Sequence, residues 1–407
     1  MLVKTIALLG HKDHGKSTLI GNMLMLTGAA TKVRIREAQE YSKRLHKDFE
    51  PAFILDSFAE ERLNEMTIDT TRAEIKYKNL AFAFIDVPGH EELIKNMISG
   101  ASYGEVALLL VSVKKDEGIR DQTKRHLFIS RMLGIDKLIV AVNKMDTVGY
   151  DRQAFEKVRE ELAGFTAKMG FEKSNVHFVP ISAYRGDNLV KRSPRMRWYQ
   201  GKPLIDILYD AAKGKGRFQR GELRMITQGV IPGDAEEHVV GRIVSGSIRS
   251  GEKVSVLPQG LTVKVVGIMV KGKRVKSGNV GENVALQLDR NLEGELRGSV
   301  ITGIEHKPKV TDLVRLKIFV TSRFGKSMSV KFNGIDIVCK SVKVLHEIDV
   351  TTGETRGTKN ARPLGAVEAD VRLARKVPVE NYDTTRELGR FVLYSDGRFA
   401  GIGTIGN

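Results

Sequence analysis

The sequence predicts an α/β domain with a mostly parallel sheet, followed by two all-β barrel domains. Three observations predict it. Residues 1–212 alternate short apolar runs with longer amphipathic ones, the mark of strands joined by helical crossovers. A basic, glycine-interrupted run, Lys213-Gly214-Lys215-Gly216-Arg217, then breaks the pattern and reads as a linker. Beyond it come short β-rich runs separated by Gly-containing turns. The boundaries read as 1–212 for the α/β domain, 218–306 for the first barrel and 307–407 for the second.

In chain order, apolar runs predict strands over 3–9, 81–86, 106–113, 137–142 and 177–181. A helix over 18–26, ending near Gly28, follows the first strand. Helical periodicity over 151–169 places Phe155, Val158, Leu162 and Phe165 on one face. The first barrel is predicted from runs at 239–244, 253–257 and 263–270, with turns at Ser250-Gly251 and Lys271-Gly272-Lys273. The second is predicted from runs near 314–320, 327–332, 335–344, 366–373 and 389–394.

Composition bounds the rest. The chain has 407 residues, 41% hydrophobic and 28% charged, which suits a folded protein of two or three domains. No run of about 18 apolar residues occurs, so a membrane span is not expected. Met1-Leu2-Val3-Lys4-Thr5 leads directly into a strand, so neither a signal nor a transit peptide is expected. The single cysteine, Cys339, cannot form an internal disulfide, reads as a small buried residue in a strand, and fits a reducing, cytoplasmic setting. Net charge is +17. Residues 1–210 hold 33 basic against 28 acidic side chains, and the remainder 33 against 21. The barrels therefore carry +12, which suits a polyanionic partner such as RNA.

The chemistry concentrates in five stretches. Gly10-His11-Lys12-Asp13-His14-Gly15-Lys16-Ser17-Thr18 lies between the first strand and its helix, the setting of a phosphate-binding loop. Its glycines allow backbone N–H groups to converge on phosphate oxygens, Lys16 neutralises the β- and γ-phosphates, and the Ser17 hydroxyl suits Mg²⁺. Asp86-Val87-Pro88-Gly89-His90 ends another strand; Asp86 can hold Mg²⁺ through water and the Gly89 N–H can face the γ-phosphate. Asn143-Lys144-Met145-Asp146 ends a third, where the Asp146 carboxylate can accept two hydrogen bonds that guanine offers and adenine does not. Ser182-Ala183 follows a fourth, with a backbone N–H for the guanine carbonyl. Thr67, within Glu61-Arg62-Leu63-Asn64-Glu65-Met66-Thr67-Ile68-Asp69, can complete the Mg²⁺ shell and sense the γ-phosphate. Together these predict a GTP/GDP switch that hydrolyses GTP with Mg²⁺.

These residues resemble the translational GTPases, in the branch holding elongation factor 1-alpha and the GTPase subunit of bacterial ATP sulfurylase. The resemblance rests on GHKDHGKST, ILDSFAEER followed by TID, DVPGHEELIKNMISGAS, VNKMD and FVPISAYRGDNLVKRSPRMRWYQGKPL, and is strong over the first domain and weak over the barrels. It implies that Thr67 is the switch-one threonine and that His90 orients the attacking water. One departure is that Glu65-Met66 stands where the family usually has Gly-Ile, which makes that backbone less permissive. The compact insert at 35–62, the Glu-Leu-Ile-Lys-Asn-Met run after His90 and the basic charge lean towards elongation factor 1-alpha, hence aminoacyl-tRNA, the ribosome and an exchange factor as partners. Gln122-Thr123-Lys124-Arg125-His126, Leu133-Gly134-Ile135, Val256-Leu257-Pro258-Gln259-Gly260 and parts of the third domain lean towards the sulfurylase branch, with a sulfate adenylyltransferase catalytic subunit as partner. A ribosome-rescue GTPase that binds a tRNA-mimicking protein is a third reading.

Smaller features read as structural. Lys191, Arg192, Arg195 and Arg197 around Trp198 suit a solvated basic turn more than an RNA contact. Lys271, Lys273, Arg274 and Lys276 suit protection of a hairpin edge. Asp13 suits either an ion network or loop shaping, and the nine histidines show no zinc spacing with cysteine.

Overall fold

The structure is a computed structural model that describes residues 2–44, 46, 48–54, 72–86, 106–114, 117, 119, 121–132, 134–213, 221–232, 237–350, 352–357 and 362–406. It divides into two compact units, Met1–Gly214 with Val350–Gly353, and Lys215–Asp349 with Glu354–Asn407.

The first unit is built on a six-stranded sheet. Its strands are β1 (Leu2–Leu9), β2 (Arg72–Tyr77), β3 (Leu80–Asp86), β4 (Val106–Ser112), β5 (Lys137–Asn143) and β6 (Val176–Pro180), in the order β2-β3-β1-β4-β5-β6. All pairs are parallel except β2–β3. Every residue of β4 is buried, because a parallel strand is covered on both faces by crossover helices. These helices include α1 (Lys16–Leu26), α2 (Lys32–Arg44), α3 (Asp121–Met132), α4 (Arg152–Lys168) and α5 (Leu204–Ala212). Leu19, Ile20, Met23 and Leu24 of α1 pack with Phe82, Phe84, Leu108 and Leu208 in one core. Asp151 caps α4 by accepting from the Gln153 and Ala154 N–H groups, and Phe155, Leu162 and Phe165 face inward as their spacing requires.

The predicted strands all appear within a residue or two of their expected ends, except that the runs at 314–320, 335–344 and 366–373 belong to longer strands, Lys309–Val320, Ile335–Ile348 and Ala366–Val379. Four elements of the first unit had no predicted range: β2, α2, α3 and α5. The edge strand β2, Arg-Ala-Glu-Ile-Lys-Tyr, alternates charged and apolar residues in a run too short to stand out. The helix α2 has only Ala38 and Ser42 buried, so it lacks the apolar stripe that announces a helix.

The second unit contains two closed six-stranded antiparallel barrels. The first is formed by β7 (Arg224–Pro232), β8 (Glu237–Ser245), β10 (Lys253–Leu257), β11 (Leu261–Val270), β14 (Asn283–Leu288) and β15 (Val300–Gly303). Closure comes from the β10–β11 pairing. The short strands β9 (Ser247–Arg249) and β13 (Ser277–Asn279) pair with each other, and β12 (Lys273–Val275) extends β11. The β11–β12 turn is Lys271-Gly272 with both residues at positive φ, the geometry that matches strand twist in a two-residue hairpin. The second barrel is formed by β16 (Lys309–Val320), β17 (Met328–Phe332), β18 (Ile335–Ile348), β20 (Ala366–Val379), β21 (Arg390–Ser395) and β22 (Arg398–Thr404), and closes through β17–β18; β19 (Thr355–Gly357) is added at β18.

Strand β22, Arg-Phe-Ala-Gly-Ile-Gly-Thr, escaped prediction because glycine disfavours strands. The glycine is there for space, since a Cβ on Gly401 would stand 2.3 Å from the Phe319 carbonyl oxygen.

The two barrels touch through a buried cluster. Val300 of the first barrel lies in the second barrel's core, and Ile226 packs against it. Arg224 is 3% exposed. Its guanidinium donates to Glu380 Oε1 at 2.5 and 3.0 Å, to Thr302 Oγ1 at 2.7 Å, to the Leu223 carbonyl at 2.8 Å and to the His306 carbonyl at 2.7 Å. Nothing in the sequence singled out this residue.

Candidate functional site

The C-terminal ends of β1, β4 and β5 and the loop after β6 converge in the first unit, where ligands of open parallel sheets bind. The loop after β1 turns at Gly10, φ +139°, where a Cβ would meet the Leu110 carbonyl oxygen at 2.6 Å. It enters α1 at Gly15, φ +91°, where a Cβ would meet Asn143 Nδ2 at 2.7 Å. Both positions thus require glycine for conformation and for room. No side chain caps α1, which leaves its first-turn N–H groups pointing into the loop as an anion site.

Lys16 is 8% exposed, and its ammonium donates to the Gly10 carbonyl at 2.8 Å and the His11 carbonyl at 3.4 Å. The cation is thereby held over the loop that would cradle phosphate. Ser17 is exposed at the head of α1 and its hydroxyl makes no hydrogen bond among the described residues. Its hard oxygen fits a magnesium shell. Thr18 instead donates inward to Glu50 Oε1 at 2.8 Å. His11 accepts from the Asp13 N–H at 3.5 Å, a loop-shaping contact. No group of three His, Cys, Asp or Glu side chains among the described residues could hold a metal.

His14 is fully buried, with Nδ1 3.0 Å from the Leu110 carbonyl and Nε2 2.8 Å from the Glu117 carbonyl. Burial pushes its imidazole below the ordinary value, and the two carbonyls only partly oppose that. The ring is a strut between the phosphate loop and the segment after β4.

The residues expected to read the base are joined to that loop by Asn143. Its Nδ2 donates to the His14 carbonyl at 2.8 Å and its Oδ1 accepts the Ala183 N–H at 2.8 Å. The Ala183 amide is therefore engaged inside the protein. Lys144 follows in the left-handed conformation, φ 67°, and ion-pairs with Glu117. Met145 is fully buried and anchors the turn. Asp146 is partly exposed and its carboxylate has no partner among the described residues. Ser182 is buried and its hydroxyl accepts from the Arg185 N–H at 3.1 Å. Asn22 donates to the Ala183 and Tyr184 carbonyls at 2.8 and 3.1 Å.

Sequence reasoning missed Asn22, Glu50 and Glu117. Asn22 alone left a signal, a polar residue within the apolar run of α1. Thr67, Val87, Pro88, Gly89 and His90 lie outside the described residues, as do Glu65-Met66, the Lys12 and Asp86 side chains and most of the 213–217 linker.

The minor candidates resolve as structural. The Trp198 indole donates to the Tyr150 carbonyl at 2.9 Å and packs on Phe155. Arg195 bonds Tyr150 and Asp187, and Arg192 bonds the Tyr199 carbonyl and Gln200. Burial pushes the Cys339 thiol up to about 11, so it stays protonated and packs against the second barrel's core. Among the described residues no helix is long and apolar enough to cross a membrane.

Residues 2–214 match the family described as "Elongation factor Tu GTP binding domain", and residues 313–406 match "GTP-eEF1A C-terminal domain-like". Over 98% of the chain it is 34% identical to elongation factor 1-alpha of Pyrobaculum calidifontis, of which 93% is covered. It is 33% identical to that of Aeropyrum pernix, 95% covered, and 30% identical to that of Methanothermobacter thermautotrophicus, 96% covered. These relatives do not favour the sulfate adenylyltransferase reading. Matched over nearly its whole length, the chain belongs to the elongation factor 1-alpha-like translational GTPases, which bind and hydrolyse GTP.

Proposed function

We propose that this GTPase delivers aminoacyl-tRNA to the ribosome in its GTP state and releases it after hydrolysis, in the cytoplasm. The observation that carries this is the +12 charge of residues 211–407, suited to a polyanion held against the barrels. In this reading the ammonium of Lys16 and the first-turn N–H groups of α1 neutralise phosphoryl charge as the β–γ bond breaks. Ser17 and Thr67 would hold Mg²⁺ directly and Asp86 through water, and the ion would offset the charge of the phosphates. His90 orients the attacking water. Asp146 selects guanine, and a guanine-nucleotide exchange factor resets the switch.

The test is aminoacyl-tRNA affinity with a nonhydrolysable GTP analogue and with GDP across a salt series. Tight binding in the analogue state alone, falling steeply with salt, is expected. Equal and weak binding in both states overturns the delivery role.

The base selection makes its own prediction. Asp146→Asn replaces one acceptor oxygen by a donor, so guanine loses a bond and meets a clash. GDP affinity is expected to fall about a hundredfold or more, while xanthosine diphosphate, with a carbonyl at that position, gains. Competition titration with both nucleotides reads the exchange, and unchanged discrimination removes Asp146 from base reading.

A further inference from the structure

Glu117 lies in the segment after β4 and belongs to none of the nucleotide motifs. Three non-covalent links make it part of a closed circuit. Its carbonyl oxygen is 2.8 Å from His14 Nε2. The His14 carbonyl accepts from Asn143 Nδ2 at 2.8 Å. Lys144, next in the chain, returns to Glu117 by donating its ammonium to Oε2. Both side chains are mostly withdrawn from solvent, 24% exposed for Lys144 and 21% for Glu117. Lys114, 3.8 Å from the other carboxylate oxygen, is the only further cation paired with it among the described residues.

We propose that Glu117 is a positioning residue that fixes the base-reading loop through Lys144 and so sets how slowly guanine nucleotide leaves. Lys144 occupies a left-handed backbone position immediately before Met145-Asp146, so its side chain governs the posture of the loop that carries the guanine-reading carboxylate. An ion pair there costs little entropy at the moment of binding because the loop is already held. Burial would raise the Glu117 carboxyl, but Lys144, Ser112 and Lys114 outweigh it and hold the group below its usual range, so it is ionised across the neutral range. Without the carboxylate a half-buried ammonium is left without its partner, and the circuit opens between the base loop and the segment after β4.

The inference rests on the guanine-nucleotide reading of this site, and the experiment separates the two. Dissociation of a fluorescent GDP is followed by stopped flow in the full chain, for wild type, Glu117→Gln, Glu117→Ala, Lys144→Ala and the Glu117→Ala/Lys144→Ala double variant. Glu117→Ala is expected to speed release about tenfold or more, Glu117→Gln somewhat less, with the association rate little changed. In the Lys144→Ala background the Glu117 change is expected to add nothing, because the residue acts through Lys144. The thermal transition of nucleotide-free Glu117→Gln should stay at the wild-type value, which a general loosening of the domain would not allow. Release within twofold of wild type in both Glu117 variants, or an equal acceleration in the Lys144→Ala background, overturns the proposal. Failure of the wild-type chain to bind GDP would instead overturn the reading of the site itself.

Discussion

Lys16→Ala is expected to weaken GTP and GDP binding by about thirtyfold to several thousandfold, the 2–5 kcal/mol typical of truncating one partner of a buried charged contact. The ammonium is 8% exposed and already oriented by the Gly10 and His11 carbonyls, so it meets phosphate without first being ordered. Two anionic phosphoryl groups would then face helix N–H groups alone. Lys16→Arg is expected to fail as a replacement. The site holds a point charge 2.8 Å from one carbonyl oxygen, and a planar guanidinium needs more width. Equilibrium titration with GDP measures the loss, and an unchanged thermal transition of the nucleotide-free protein shows that the fold is intact. Affinity within threefold of wild type would remove Lys16 from the phosphate site.

The second large effect is expected away from the nucleotide. Arg224→Ala leaves Glu380 as an uncompensated buried charge and strips donors from the Leu223 and His306 carbonyls and from Thr302. Breaking such a pair costs about 3–5 kcal/mol. At ordinary denaturant sensitivities this lowers a urea midpoint by about 1–5 M. The chain offers a way to localise the loss. Its one tryptophan, Trp198, lies in the first unit, packed on Phe155, whereas far-ultraviolet circular dichroism also reports the barrels. The dichroism transition is expected to shift while the tryptophan transition stays in place. Arg224→Met/Glu380→Leu should recover part of the loss, since two apolar partners need no ion pair, although the freed carbonyls remain. Equal stability of Arg224→Ala and wild type would mean that water replaces the guanidinium.

The two effects differ in how visible their causes were in the sequence. Lys16 stands in a glycine-bounded loop between an apolar run and a helix, and that local order is itself the physics of phosphate binding. The strand-end positions of Asn143 and Asp146 could be read for the same reason, because a parallel sheet presents its strand ends on one side. Arg224 begins an unremarkable strand, and its partner Glu380 is far away in the chain. Glu117 is one of many charged residues in an irregular segment, and Lys144 was assigned to base reading without a sign that it had an ion-pair partner. The Ser182-Ala183 stretch was expected to offer a backbone N–H to guanine, and nothing in it announced that the Ala183 amide donates to Asn143 Oδ1.

The sequence by itself determined the change from a parallel α/β domain to antiparallel barrels, the strand-end placing of the candidate phosphate and base loops, and the basic balance of the barrels. These depend on periodicity, turn chemistry and net charge, which are local or additive along the chain. Only the tertiary structure decided which polar groups pair across long sequence separations: His14 with Glu117, Asn143 with Ala183, Arg224 with Glu380. It also decided that β22 must carry glycine, because the backbone of β16 approaches too closely for a side chain at Gly401. Burial makes those pairings and clearances obligatory, and burial is a property of the packed chain, not of any one segment.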